Sequence, residues 1–341
     1  MQQPPVVNNA PQKVAVLGAG SWGTALAIQL ARNGHKVSLW GHRPAHITEI
    51  ESLRENRQYL PGFLLPESLR TDTDIHSTVE GAEKILLAVP SAVFRNLLQQ
   101  IKAVIEDDST LIWATKGVEQ VSHKLLHQVV EEELGETHPK ALLSGPTFAL
   151  EVAKGLPTAV TVASNDHQQA HAVAELFHSE IFRCYTSNDL AGVEVGGTTK
   201  NILAIAAGIA DGLGFGANTR AALMTRGLHE QMKLGIRLNG RQETFMGLSG
   251  LGDLVLTCTD NQSRNRRLGL AIGRGHPLQK ALDDIGQVVE GVEAARDVSE
   301  MADQLGIEMP ITEQVAQVLH RGKSPSEAVN TLLQRNRKPE S

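Results

Sequence analysis

At 341 residues the chain has room for about two domains. Its 41% hydrophobic and 21% charged residues exclude wholesale disorder and a collagen-like fibre. A net charge of -6 with 4% aromatic residues argues against a generally basic nucleic-acid binder and leaves room for a local basic cluster that takes a small anion.

Met1 to Gln12 has neither a basic start nor an apolar core and reads as a loose tail rather than a signal peptide. From Lys13 to about Asp189, short β-rich runs alternate with helical patterns, which predicts a doubly wound parallel sheet. The predicted strands are Val14 to Leu17, Val37 to Trp40, Lys84 to Ala88, Leu111 to Thr115, Ala141 to Ser144 and Ala159 to Ala163, with helices over Thr24 to Asn33, Val93 to Val104 and His123 to Leu134. The run VAVLGAGSWGTALA places Gly18, Gly20 and Gly23 between the first strand and a helix. That is the dinucleotide fingerprint: one glycine for the tight turn, one for approach of a pyrophosphate, one for helix–strand packing. Where an NAD site usually carries a carboxylate, the second strand ends in Gly41, His42 and Arg43. A guanidinium suits a ribose 2′-phosphate, which moves the expected cofactor from NADH toward NADPH, unless the segment is an exposed loop with ordinary basic residues. Three further strand ends, Val89-Pro90-Ser91, Thr115-Lys116-Gly117 and Ser144-Gly145-Pro146-Thr147, lie at the carboxyl edge where open sheets bind ligands. Each also reads as an ordinary turn, and Lys116 as an ordinary surface lysine.

After Asp189 the strand signal fades, and helices are predicted over about Ala191 to Leu213, Thr219 to Leu238, Asp253 to Thr257, Arg264 to Arg274, Gly291 to Leu305 and Pro310 to His320. The expected organisation is a tail (1–12), a Rossmann-like domain (13–189), an all-helical domain (190–334) and a charged tail (335–341). The longest apolar run, Leu203 to Ala210, is too short to span a membrane. Cys184 and Cys258 make no disulfide framework and have no partners at metal-ligand spacing, which suits a reducing, cytoplasmic setting without a bound metal. Within Glu194 to Asn201, EVGGTTKN, Lys200 is out of keeping with its apolar surroundings and is the candidate acid/base, unless its amine snorkels to the surface. Asp253 and Thr257 stand one turn apart. Ser263 is placed as an N-cap followed by Arg264, Arg266 and Arg267, a cationic helix start that needs an anion or a neighbouring carboxylate. Glu290 reads as a helix-dipole partner.

Together these segments resemble bacterial NAD(P)-dependent glycerol-3-phosphate dehydrogenases: GAGSWGTALA, LWGHR, NRQYLPG, LLAVPS, ATKG, SGPTFA, EVGGTTKNILAIAAGIADGL, GLSGLGDLVLTC and SRNRRLG follow in family order. The resemblance implies reversible reduction of dihydroxyacetone phosphate to sn-glycerol 3-phosphate by NAD(P)H, supplying glycerophospholipid synthesis. It implies that Lys200 moves the proton and that Asp253 holds the lysine or a substrate hydroxyl. Lys116, Gly145, Thr147, Asp253, Ser263, Arg264 and Asn265 would surround the three-carbon phosphate. Ser21, Trp22, His42, Arg43, Tyr59, Lys116, Ala149, Arg264, Val288 and Glu290 would line the cofactor. A homodimer is implied as well. Two other readings are a hydroxyacid or ketopantoate-type dehydrogenase, which would need a carboxylate pocket in place of the arginine-rich helix start, and a non-catalytic NADPH sensor, which would not need Lys116, Lys200 and Asp253 together.

Overall fold

A computed structural model describes residues 10–335. The tails expected at 1–12 and 335–341 lie outside the described residues apart from 10–12 and Arg335, and Gln12 already accepts a hydrogen bond from the backbone N–H of Lys36 at 2.9 Å. The first half runs β1 (Lys13–Leu17), α1 (Ser21–Arg32), β2 (Lys36–Trp40), α2 (Pro44–Leu53), β3 (Leu69–Asp72), α3 (Ile75–Val79), β4 (Lys84–Leu87), α4 (Phe94–Ile101), β5 (Thr110–Trp113), α5 (Leu126–Leu134), β6 (Lys140–Ser144), α6 (Ala149–Lys154), β7 (Thr158–Ala163), α7 (His167–Phe177) and β8 (Phe182–Ser187). The strands form one sheet in the order β3-β2-β1-β4-β5-β6-β7-β8.

All six predicted strands are present. The sheet is not wholly parallel, however: β6 and β7 pair antiparallel, with Leu143 opposite Val162, before β8 resumes parallel to β7. The cause is α6. Six residues rise only about 9 Å, too little to carry the chain back along the sheet, so β7 leaves from the same edge and runs the other way. The strands that periodicity missed, β3 (LRTD) and β8 (FRCYTS), close the two edges and are half-exposed and polar. The helix expected from His123 starts later, at Leu126, because His123 sits at φ 54 in the left-handed region and Leu125 is extended.

The second half is all helical: α8 (Leu190–Gly212), α9 (Ala217–Arg237), α10 (Gln242–Phe245), α11 (Asp253–Thr259), α12 (Arg264–Gly273), α13 (Leu278–Ile285), α14 (Glu290–Leu305), α15 (Pro310–His320) and α16 (Pro325–Leu333). Here α8 is the axis, buried along nearly its whole length. Gly208 and Gly269 let α8 and α12 touch backbone to backbone; a Cβ at Gly208 would lie 2.2 Å from Arg266 O, and one at Gly269 2.1 Å from Ile205 O. That contact fixes the start of α12 beside Asn201. Among the described residues no helix is long and apolar enough to cross a membrane.

Candidate active site

The sheet reverses its order between β1 and β4, and the carboxyl ends of those strands define the crevice where such folds take a dinucleotide. The turn after β1 is built for it. Gly18 has φ +125, and a Cβ there would meet Ala88 O at 2.5 Å; a Cβ at Gly23 would meet Gly18 O at 1.9 Å. A Cβ on Gly20 would meet nothing within 4 Å, and α1 begins on Gly20 with no side-chain cap. The space beside Gly20 is open and no side chain caps the helix start, which fits a pyrophosphate. The two kinds of glycine separate experimentally. Gly23→Ala is expected to lose about 1–3 kcal/mol of stability by overpacking. Gly20→Ala is expected to melt within a degree or two of the parent while binding NADPH at least tenfold more weakly, read by thermal melts with and without cofactor. Full binding by Gly20→Ala would contradict the cradle.

The segment NRQYLPG folds back onto this turn. Asn56 is fully buried and donates to Ala19 O at 2.9 Å and Thr24 Oγ1 at 2.8 Å, while Ser21 Oγ donates to Tyr59 O at 2.7 Å. Arg43, at the end of β2, donates to Tyr59 Oη at 2.9 Å and to Gln58 Oε1 at 2.8 Å, with its guanidinium 5.7 Å from the Tyr59 ring centre. His42 beside it is exposed. Trp22 packs partly buried against the sheet core.

Over the carboxyl ends of β5 and β6 the chain brings together three residues far apart in sequence. Lys200 from α8 donates to Asp253 and, at 3.1 Å, to Thr257 Oγ1; Lys116, just past β5, donates to the other Asp253 oxygen at 2.9 Å. Asp253 is fully buried, and the side chains of Lys200 and Lys116 are 7% and 13% exposed. Lys200 does not snorkel. Burial drives its amine down to about 7; Asp253 opposes that shift, and the Lys116 charge reinforces it. For Lys116 burial, the largest influence, also pulls downward, but the charge and hydrogen bond of Asp253, the contact with Lys200 and the charge of Glu290 together outweigh it and hold the ammonium above its ordinary value. One amine thus exchanges its proton near neutrality while its neighbour stays charged. The glycines before Lys200 admit protein rather than ligand: a Cβ at Gly196 would strike Ser249 O at 2.4 Å, and one at Gly197 would lie 3.1 Å from Ser144 Oγ. Asp253 reaches its place because α11 starts on it after a wide π-helical turn at Leu248–Gly252. Pro146, in the turn that carries Gly145 and Thr147, would lie 3.6 Å from a Cβ on Gly252, so that turn lines the same opening.

The arginine-rich start of α12 splits. Ser263 is the N-cap, accepting from Arg266 N at 3.2 Å. Arg266 turns inward to Asp211 at 2.6 Å, which also pairs with Arg220 at 2.7 Å, so a carboxylate and not a ligand balances it. Arg264 is half-buried and donates to Gln287 Oε1 at 3.2 Å; Arg267 is exposed. Asn265 donates to Asn201 Oδ1 at 3.0 Å and accepts from Gly291 N at 2.9 Å, and Asn201 donates to Glu290 at 3.2 Å. Lys200's neighbour is thus tied to both α12 and the start of α14. Val288 stands 58% exposed beside them, and Ala149 opens α6. Sequence reasoning passed over Asn201, Gln287 and Gln58; each acts through a contact with a residue distant in the chain, which spacing does not signal.

A dinucleotide turn leading to a buried lysine–aspartate–lysine cluster under a helical cap defines a nicotinamide-dependent dehydrogenase. Residues 13–170 match the N-terminus, and residues 189–330 the C-terminus, of NAD-dependent glycerol-3-phosphate dehydrogenase. The chain belongs to that family. It is 55% identical over 340 residues, covering 100% of each chain to the nearest percent, to a glycerol-3-phosphate dehydrogenase [NAD(P)+] of Thioalkalivibrio sulfidiphilus. It is 52% identical to the protein of that name from Aliivibrio fischeri over 329 residues, 96% of each chain. The crystal structure of glycerol-3-phosphate dehydrogenase from Coxiella burnetii superposes with a TM-score of 0.93 at 48% identity, over 95% of this chain and 99% of that one.

Proposed function

We propose that this chain is an NAD(P)H-dependent glycerol-3-phosphate dehydrogenase that interconverts dihydroxyacetone phosphate and sn-glycerol 3-phosphate. The observation that carries the chemistry is the pair of amines on Asp253, one tuned to about 7 and one kept charged. A bound nicotinamide supplies or accepts the hydride equivalent. In reduction, Lys200 gives its proton to the carbonyl oxygen as that oxygen gains charge, and in oxidation the neutral amine takes the hydroxyl proton. Lys116 stabilises the oxyanion that develops between these states. Asp253 holds both amines, and Thr257 fixes the direction of the Lys200 amine. The triose phosphate is assigned to Arg264, the Ser263 helix start and Asn265, with Gly145 and Thr147 on the opposite wall. The dinucleotide is assigned to the Gly18–Gly23 turn, Ser21, Trp22, His42, Arg43, Tyr59, Lys116, Ala149, Arg264, Val288 and Glu290. Following absorbance at the nicotinamide band with dihydroxyacetone phosphate and either reduced cofactor tests reaction and substrate together; turnover of a carboxylated ketone instead would overturn the assignment.

The same reading favours NADPH, because Arg43 stands where NAD sites carry a carboxylate. Arg43→Asp is expected to raise the KM for NADPH about tenfold more than that for NADH, and an equal effect on both would remove the 2′-phosphate from Arg43. The reading also divides the chain at Asp189 into a cofactor domain (13–189) and a substrate domain (190–334), supported by β8 ending at Ser187 and α8 starting at Leu190. Family resemblance carries the rest: a cytoplasmic homodimer that supplies glycerophospholipid synthesis. Light scattering tests the dimer.

A further inference from the structure

The segment between α2 and β3 is a loop stapled at both ends. Arg54, at φ 52, donates to Pro66 O at 2.6 Å and Leu69 O at 2.9 Å, and Leu65 N donates back to Arg54 O at 2.7 Å. Its middle is pinned to the phosphate turn by fully buried Asn56 and by Ser21 at Tyr59 O. The tip of this rigid loop presents Gln58 and Tyr59 to a single nitrogen, Nη2 of Arg43, at 2.8 and 2.9 Å. Gln58 is itself exposed, so its side chain takes no part in the core. An arginine at a helix N-cap, as Arg43 is for α2, has several rotamers of similar energy; two acceptors on one nitrogen, with the ring beneath, select one of them. The remaining guanidinium nitrogens make no other hydrogen bond among the described residues.

We propose that Gln58 is a specificity-determining residue for the cofactor: it holds the Arg43 guanidinium in place for the ribose 2′-phosphate. Discrimination between NADPH and NADH then resides in the loop that covers the phosphate turn as much as in Arg43. This rests on the reading of Arg43 as the 2′-phosphate ligand, and the test separates the two. A preorganised guanidinium binds an anion without first losing rotamer freedom, so removing its support weakens binding of the 2′-phosphate and leaves the remainder of the nucleotide largely alone.

The experiment is calorimetric titration of 2′,5′-ADP and of 5′-ADP into the parent, Gln58→Ala, Gln58→Glu and Arg43→Ala, with the NADPH to NADH ratio of kcat/KM measured beside it. The affinity ratio of the two nucleotides is expected to fall about threefold in Gln58→Ala, through lost positioning. In Gln58→Glu it is expected to fall about tenfold or more, because a carboxylate at that reach pairs with Arg43 and repels the phosphate. A parental ratio in Gln58→Ala overturns the inference, since a carboxylate at position 58 could act on the phosphate without working through Arg43. If Arg43→Ala also keeps the parental ratio, the 2′-phosphate assignment itself fails. If Arg43→Ala collapses the ratio while Gln58→Ala does not, only the role of Gln58 falls.

Discussion

Lys200→Ala is expected to fold, to bind NADPH as the parent does, and to lose turnover by roughly three decades or more. Lys200 is the amine that burial has brought to about 7, and its Nζ stands on α8 within reach of both Asp253 and Thr257. Lys116 cannot replace it. Its ammonium is held above the ordinary value, so it stabilises negative charge well and releases a proton poorly. Folding should survive because Asp253 keeps Lys116 as a partner and the change removes a buried charge together with its desolvation penalty. The measurements are single-turnover reduction of dihydroxyacetone phosphate and a fluorescence titration of NADPH. Turnover near that of the parent would take Lys200 out of the mechanism.

The pH dependence follows with a definite sign. In the free enzyme the amine is protonated below about 7 and neutral above it. Ketone reduction needs the protonated form, so its kcat/KM is expected to fall as pH rises through that value; alcohol oxidation needs the neutral form and should fall as pH drops through it. The two profiles should cross in opposite directions at one inflection, which Lys200→Ala abolishes. The parent showing the same slope in both directions would argue that another group titrates.

Much of this was legible in the sequence because it is local. The Gly18, Gly20 and Gly23 spacing specifies a strand–turn–helix whatever the rest of the chain does, and Ser263 behaves as the N-cap its position predicts. The apolar strands that cross the middle of the sheet were visible for the same reason, whereas β3 and β8 lie at its edges, where only Leu69 and Phe182 are buried and the apolar signal thins. Direction was not legible at all, since the antiparallel pairing of β7 depends on how far α6 can carry the chain. Nor could composition say which arginine of the α12 start is balanced inside the protein. Arg264 and Arg266 are two positions apart and point to different faces of the helix, one toward Gln287, the other to Asp211 inside. The lysine–aspartate–lysine cluster spans separations of 53 and 137 residues, so Asp253 was joined to the two lysines in advance only by family resemblance. Thr257 was correctly placed on the face of Asp253, but its contact with Lys200 needed the fold.

Asp253→Asn is expected to cost stability and activity together, and the stability loss should depend on pH. Asp253 is fully buried and supplies the carboxylate between two buried ammonium groups. Replacing it by a neutral amide leaves those charges uncompensated, a loss of about 3–5 kcal/mol while both lysines are protonated. The chain has one escape, which is to release protons. Without the carboxylate both lysines titrate lower in the folded state than in the parent, Lys200 below the value of about 7 it already has and Lys116 losing the influence that raised it. The unfolded chain, with ordinary lysines, then binds more protons than the folded one across a wider window below 10.5 than in the parent, so the variant's stability rises more steeply with pH. Urea unfolding should therefore show a larger gap between parent and variant at pH 6 than at pH 9, and other groups cancel in the difference. Turnover is expected to fall by about two to three decades, with the inflection for alcohol oxidation moving to lower pH. An equal loss at both pH values would mean that Asp253 contributes through packing and hydrogen bonds alone, and the tuning of Lys200 would then need another source.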